Sequence, residues 1–500
     1  MKRHVAVAMC LVFGLASAGL AGERLVVHEW GTFTSFQNEI GESLRRINTD
    51  DEPVPPFVHQ LGRVKLFSPT DLSFEGLHLT QGAPSADPRV TMRLETPVLY
   101  FHLPPGEKTV TLDVAVDFRR GFLTQFFPRA EATVDGKPIK DYLFPAGHAP
   151  LGSLRWSGVR VGEAGAMPET TERVWLAPRQ VNAAPVTVGE ESERFLFYRG
   201  VGDVAAPLQV IRHADQNLEV RFNLAALQQL DAQLQHAEGT SAGDAPRNPK
   251  LASRMNWDSV RKQRRLRSIW LLDVRPDGTS AFRHLPSFTS RNEYDDYEGR
   301  RFYTSGNFPD TAFSKDNLAK LRAEMCEALV GDGLFGDEAD ALLNTWELSY
   351  FLSPGQRLFF LVPRAWTDAV LPLKLSVPAD VTRVMVGRIE LVTPRQRELL
   401  KRIADTPVPD LTAVLERMWA LQQDPSRREA YNALASGRGD SSILGVPVPP
   451  SYQAFLDLGR FRTSLLMDAA DRDRQAGTGV LGRVNHLQFE LLHPGKLQRE

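Results

Sequence analysis

Between Thr109 and Phe118, the apolar residues Val110, Leu112, Val114, Val116 and Phe118 occupy every second position. A two-residue period is the pattern of a strand with one face in a core and the other in water. Comparable β-type runs recur at 25–36, 89–101, 132–134, 154–161, 173–176, 195–198 and 208–212, separated by Pro, Gly and an Asp135-Gly136 turn. Short strands at this spacing predict an antiparallel sandwich rather than a parallel sheet. Residues 268–274 and 279–285 flank Arg275-Pro276-Asp277-Gly278 and predict a hairpin.

The period changes after residue 310. Leu318, Leu321, Met325 and Leu329, then Ala339, Leu342, Leu343 and Trp346, recur at three and four residues around a Gly-rich break at 331–336. That is the spacing of two helices. Strand-like runs return at 357–362, 371–377 and 381–392, and 484–492 suits a closing strand. Helices are expected from Pro394, over 409–422 and 426–435, and over 452–470. The expected class is α+β: an antiparallel β-sandwich-rich N-terminal and central part with a helical C-terminal portion.

Lys2, Arg3, the apolar run 5–15 and the small residues ending at Ala21 have the form of an export signal over residues 1–21. The apolar run is shorter than the roughly 20 residues that span a bilayer, so cleavage near Ala21 is expected rather than a retained anchor. Periplasmic or secreted localisation follows. The expected domains are β-rich at 22–235 and mixed at 251–393, joined by a linker or long surface loop at 236–250, with a mainly helical region at 394–500. Losing Lys2 and Arg3 takes the 59 basic residues to 57 against 61 acidic ones, a near-balance that argues against nucleic acid as a partner. Cys10 leaves with the leader, so Cys326 alone remains and an intramolecular disulfide is excluded.

His28-Glu29-Trp30-Gly31-Thr32-Phe33-Thr34 places an imidazole and a carboxylate side by side in a strand. Adjacent strand residues point to opposite faces, so His28 and Glu29 do not share a ligand unless a bulge intervenes. Thr32 also stands where a zinc-protease motif requires its second His. Glu29 keeps interest because Gly31, on its face, would let a ligand or another backbone approach. Glu29 and His28 are therefore the catalytic candidates, with Trp30 a ligand-binding one; the alternative is a buried His28 and Glu29 held by backbone or Arg partners, with Trp30 in the core.

The loop holding Tyr294, Asp295, Asp296, Tyr297 and Glu298 is a second candidate, suited to a sugar or to Ca²⁺ through oxygen ligands. Its acids can equally pair with Arg291, Arg300 and Arg301. No motif indicates a cofactor. His59, His78, His102, His148, His213 and His284 lack metal-ligand spacing. Ser241 sits in linker, Arg438-Gly439-Asp440 in a turn, and the basic run at 261–267 reads as a solvated face.

Taken with Leu94-Glu95-Thr96-Pro97-Val98-Leu99-Tyr100-Phe101, Phe195-Leu196-Phe197-Tyr198-Arg199-Gly200 and Val362-Pro363-Arg364-Ala365-Trp366, the His28–Thr34 signature resembles a family of uncharacterised exported bacterial proteins. The resemblance implies export and one co-folding unit, and it carries no catalytic role. The expected function is an exported β-rich binding or structural protein of the cell envelope, with a glycan or an envelope protein as partner. The alternative is an exported hydrolase using carboxylates or a metal, with Glu29 in its site. The sequence leaves open whether the protein is an enzyme.

Overall fold

The computed structural model describes residues 24–48, 54–61, 79–80, 83–84, 89–138, 149–223, 226, 266, 268–287, 301–406, 410–435 and 437–476. The strands that matter for the site are β1 (Leu25–Gln37), β2 (Met92–His102), β3 (Gly121–Phe127), β4 (Leu151–Val161), β5 (Leu196–Gly202), β6 (Ile269–Val274) and β7 (Ser280–Leu285). Helices α1 (Asn317–Gly331) and α2 (Gly336–Thr345) follow, then β8 (Gly355–Leu361), β9 (Ala379–Leu391) and helix α3 (Pro394–Asp405).

These strands lie side by side in one large sheet in the order β4-β3-β5-β2-β1-β9-β8-β6-β7. A smaller sheet is made of Leu208–Arg212, Asn217–Phe222 and Arg301–Ser305. The chain thus mixes α and β structure, with helices mostly in the C-terminal half. The sheets are open, and this strand order does not establish the expected sandwich. At the centre the pairing departs from the antiparallel expectation, because β1 and β9 run parallel, from Leu25 opposite Ala379 to Gln37 opposite Leu391. β1 and β9 therefore join chain segments some 350 residues apart in one ladder, across the expected boundary at 235.

β1 explains its own unusual sequence. It is covered on both faces, so it does not alternate between apolar and polar residues. Several of its polar side chains are matched instead: Thr32 Oγ1 lies 2.5 Å from the Tyr350 hydroxyl, and Gln37 bonds the Leu208 carbonyl and the Val210 N–H. A buried polar group left unmatched would cost about 1–3 kcal/mol.

The register between β1 and β2 slips between Trp30 and Thr32, where one β1 residue faces two on β2. The extra residue falls at Thr96-Pro97, with Thr96 at φ +45°. A bulge suits proline, which has no N–H to give to the ladder. A Cβ on Gly31 would stand 3.0 Å from Pro97 Cα and 3.1 Å from Met385 Sδ. The room over Gly31 is thus taken by a neighbouring backbone and a methionine; of the two occupants expected there, the backbone is the one present.

The hairpin at Arg275–Gly278 forms between β6 and β7, as the spacing predicts. Arg173–Leu176, expected as a strand, is a short helix instead. Its Val174 and Trp175 are both buried, Trp175 against Phe57, Phe127, Phe195 and Phe197. Adjacent apolar residues that both seek the core fit a helical turn better than an alternating strand. The helix expected over 452–470 is broken into Pro450–Asp457 and Arg462–Ala476, with Gly459 at φ +53° between them. α3 starts where its sequence predicts, with Pro394 in the first turn and Gln396 accepting from the Thr393 N–H at 3.0 Å. The C-terminal helices close a second core with Phe36 and Val392, the Phe461 ring 4.9 Å from that of Phe36.

Candidate metal centre

Strand alternation separates His28 from Glu29, as expected. Glu29 turns to the face shared by Val27 and Phe33, while His28 and Trp30 turn to the other. Across the ladder, Glu29 stands opposite Arg383 of β9, and their side chains form an ion pair in which Arg383 Nε donates to Glu29 Oε2. The Tyr198 hydroxyl, from two strands away, donates to Glu29 Oε1. Arg383 also reaches Asp368 at 2.8 Å. Burial would strip the charge from Arg383, but Glu29 and Tyr198 more than restore it. Burial, followed by the charge of Glu29, pushes the Tyr198 phenol well above its ordinary range. Glu29 is fully buried and both its oxygens are engaged. Of the two readings of Glu29, the buried carboxylate held by an Arg is the one present. Trp30, a ligand-binding candidate in the sequence, is likewise a fully buried core side chain, its ring 6.2 Å from that of Tyr100.

On the other face a different set of groups converges. His28 pairs across the ladder with Tyr100, so His102, two residues farther along β2, is its diagonal neighbour on the same face. The imidazole centroids are 5.3 Å apart. Glu338, in the first turn of α2, comes down onto both. His28 Nδ1 is 2.7 Å from Glu338 Oε2, and His102 Nε2 is 2.9 Å from Glu338 Oε1. The Phe335 N–H donates to Oε2 at 2.8 Å, fixing the carboxylate at the helix start. One donor atom from each of the three side chains lies within 4.8 Å of the other two.

Burial pushes the Glu338 carboxyl up, but the hydrogen bonds from His102 and His28 outweigh it and hold the group below its ordinary 4.5. It is therefore an anion at neutral pH. Two imidazole nitrogens and a carboxylate within this radius are a donor set for a divalent transition metal such as zinc, with nitrogen and oxygen bonds of about 2.0–2.2 Å. The nitrogens that face Glu338 carry protons in the hydrogen-bonded form and would turn lone pairs to a metal. Proton and metal compete for the same atoms.

Below this cluster the same face of the sheet becomes a buried charge layer. Arg93 bonds Glu95 at 2.8 Å, Thr34 bonds Glu95 at 2.5 Å, and Arg388 reaches Glu95 at 3.2 Å and Glu390 at 3.5 Å. Arg357 lies 3.2 Å from Glu390, and Arg460, from the C-terminal helices, lies 2.5 Å from it. Burial, partly offset by Glu390, pulls Arg357 down to about 10. Arg357 also donates to the carbonyls of Ser349, Tyr350 and Ser353. This layer ties β2, β9 and β8 to the helical portion.

Tyr294, Asp295, Asp296, Tyr297 and Glu298 lie outside the described residues, as do Ser241, His78, His148 and the expected strand at 484–492. His59 bonds Glu191, His213 bonds Glu219 and His284 stacks on Trp270, each in a local structural role. Asp440 accepts from Ser442 within a turn. Cys326 is half-buried on α1. His102 and Glu338 are the residues that sequence reasoning missed. His102 was visible only as a scattered histidine, and Glu338 only as an acid in a helix first turn, 310 residues from His28.

Neither a family model nor a curated protein matches this chain. Among solved structures, the chain is similar at a TM-score of 0.24 and 8% identity to the Fcho1 Mu homology domain of Danio rerio with bound Eps15 peptide, covering 74% of this chain and 96% of that one. Likeness at that level carries no argument about fold or function. Among the described residues, no helix is long and apolar enough to cross a membrane.

Proposed function

We propose that the protein is an exported, β-rich binding protein of the cell envelope that holds one divalent transition metal at His28, His102 and Glu338. One observation carries the reading: two strands and a helix start deliver two imidazoles and an anionic carboxylate whose donor atoms fall within 4.8 Å. A carboxylate hydrolase built on Glu29 finds no such support, since that residue is sealed between Arg383 and Tyr198. Zinc is the favoured occupant, because the nitrogen and oxygen donors suit it and include no soft thiolate. The metal would pin the start of α2 to β1 and β2, adding binding free energy to the folded state alone.

The test is elemental analysis and calorimetric titration of the purified protein. The expected result is one zinc per chain, lost in His28→Ala, His102→Ala and Glu338→Gln. Zinc binding that survives all three substitutions would reject the assignment.

A further inference from the structure

Which way the centre faces is set by Phe335, the residue immediately before α2. Its ring lies 4.6 Å from that of His28 and 4.8 Å from that of His102, and it is 47% exposed. Beneath it, the His28, His102 and Glu338 side chains are 5%, 16% and 0% exposed. The Phe335 ring thus stands between the three donors and solvent. The neighbouring polar groups are committed elsewhere. Asp337 accepts from the Asn182 N–H at 2.8 Å and the Glu338 N–H at 3.0 Å, and the Tyr100 hydroxyl donates to the Pro178 carbonyl at 2.9 Å. Among the described residues, the convergent set stops at three.

We infer that the centre is of the exchangeable kind: three protein donors hold the metal, and its fourth position takes a small carboxylate or other small anion admitted when Phe335 swings aside. The inference rests on the metal reading above. Sites with three protein ligands keep an open coordination position, whereas structural zinc sites fill all four. The charge count sets the ligand class. A divalent ion with one carboxylate and two neutral imidazoles leaves the centre one unit positive in a buried setting, which favours an anion in the last position. The footprint of the Phe335 ring sets its size at a few heavy atoms. Phe335 is a gating residue here, touching the imidazoles rather than coordinating the ion.

The experiment uses the full chain loaded with Co²⁺, whose visible spectrum reports coordination, titrated with azide and with acetate. The expected result is a saturable spectral change with wild type. Phe335→Ala should bind azide about tenfold more tightly and give up its metal faster to a chelator. Phe335→Leu, which keeps an apolar cover, serves as the second variant and should fall between the two. Co²⁺ bound one to one, with a spectrum unmoved by either anion in all three proteins, would overturn the exchangeable site while leaving the metal reading intact. Failure of wild type to take up Co²⁺ would overturn both.

Discussion

His28 and Glu29 are adjacent in the chain, yet they belong to two regions built on opposite principles. On the Glu29 face, one carboxylate meets one guanidinium and a phenol, each oxygen has a partner, and the group is closed off. On the His28 face, two imidazoles share a single carboxylate beneath one half-exposed ring. In the first arrangement both carboxylate oxygens are held by a guanidinium and a phenol. In the second, both carboxylate oxygens accept from imidazole N–H groups, and those nitrogens would bind a metal on losing their protons, which is the basis of the proposed centre. A buried charge is informative only after its partners are counted.

The contrast can be broken most severely from the Glu29 side. Removing one member of a buried ion pair leaves the other uncompensated, so Glu29→Ala or Arg383→Leu should cost about 3–5 kcal/mol in urea unfolding. Metal stoichiometry should stay unchanged. An unfolding midpoint equal to wild type would show that the pair is not sealed.

The converse experiment comes next in size. His28→Ala and Glu338→Gln should weaken zinc by more than the roughly 100-fold that loss of an outer-shell partner costs. Their metal-free stability should move less than that of the Glu29 variants. If both faces responded alike in both measurements, the distinction between them would collapse.

Gly31→Ala sharpens the account of the bulge that sits between the regions. The added methyl meets Pro97 Cα at 3.0 Å, backbone that cannot swing away as a side chain can. Overpacking of this kind costs about 1–3 kcal/mol, measurable by thermal unfolding, and a neutral result would mean that the bulge yields freely.

Acid should give the smallest effect. Because the Glu338 carboxyl is held below its ordinary 4.5 in the folded chain, its stabilisation is complete above that value and fades as pH falls through the lowered one. Metal-free wild type should therefore lose stability in acid more than Glu338→Gln does, in unfolding followed across that range. Parallel curves would remove the carboxylate from the account.

The strands were largely legible in the sequence because period two survives wherever one face is wet, as at Val110–Phe118. The same reasoning separated His28 from Glu29. It could not place β9 beside β1, since parallel pairing between segments so far apart leaves no local mark. Nor could it find the centre. His102 reaches His28 only through the β1–β2 register, and Glu338 only through the docking of α2, both tertiary facts. The two readings of Glu29 stayed open in the sequence for a related reason. A glycine two residues on signals that something comes close, and the sequence does not reveal that Pro97 and Met385 are what arrives.

The central claim, that the His28 face rather than the Glu29 face carries function, is tested most directly by zinc titration of the metal-free protein alongside His102→Ala and Glu29→Gln. The account predicts one tight site in wild type and in Glu29→Gln, and its loss in His102→Ala. A site lost in Glu29→Gln and retained in His102→Ala would contradict it.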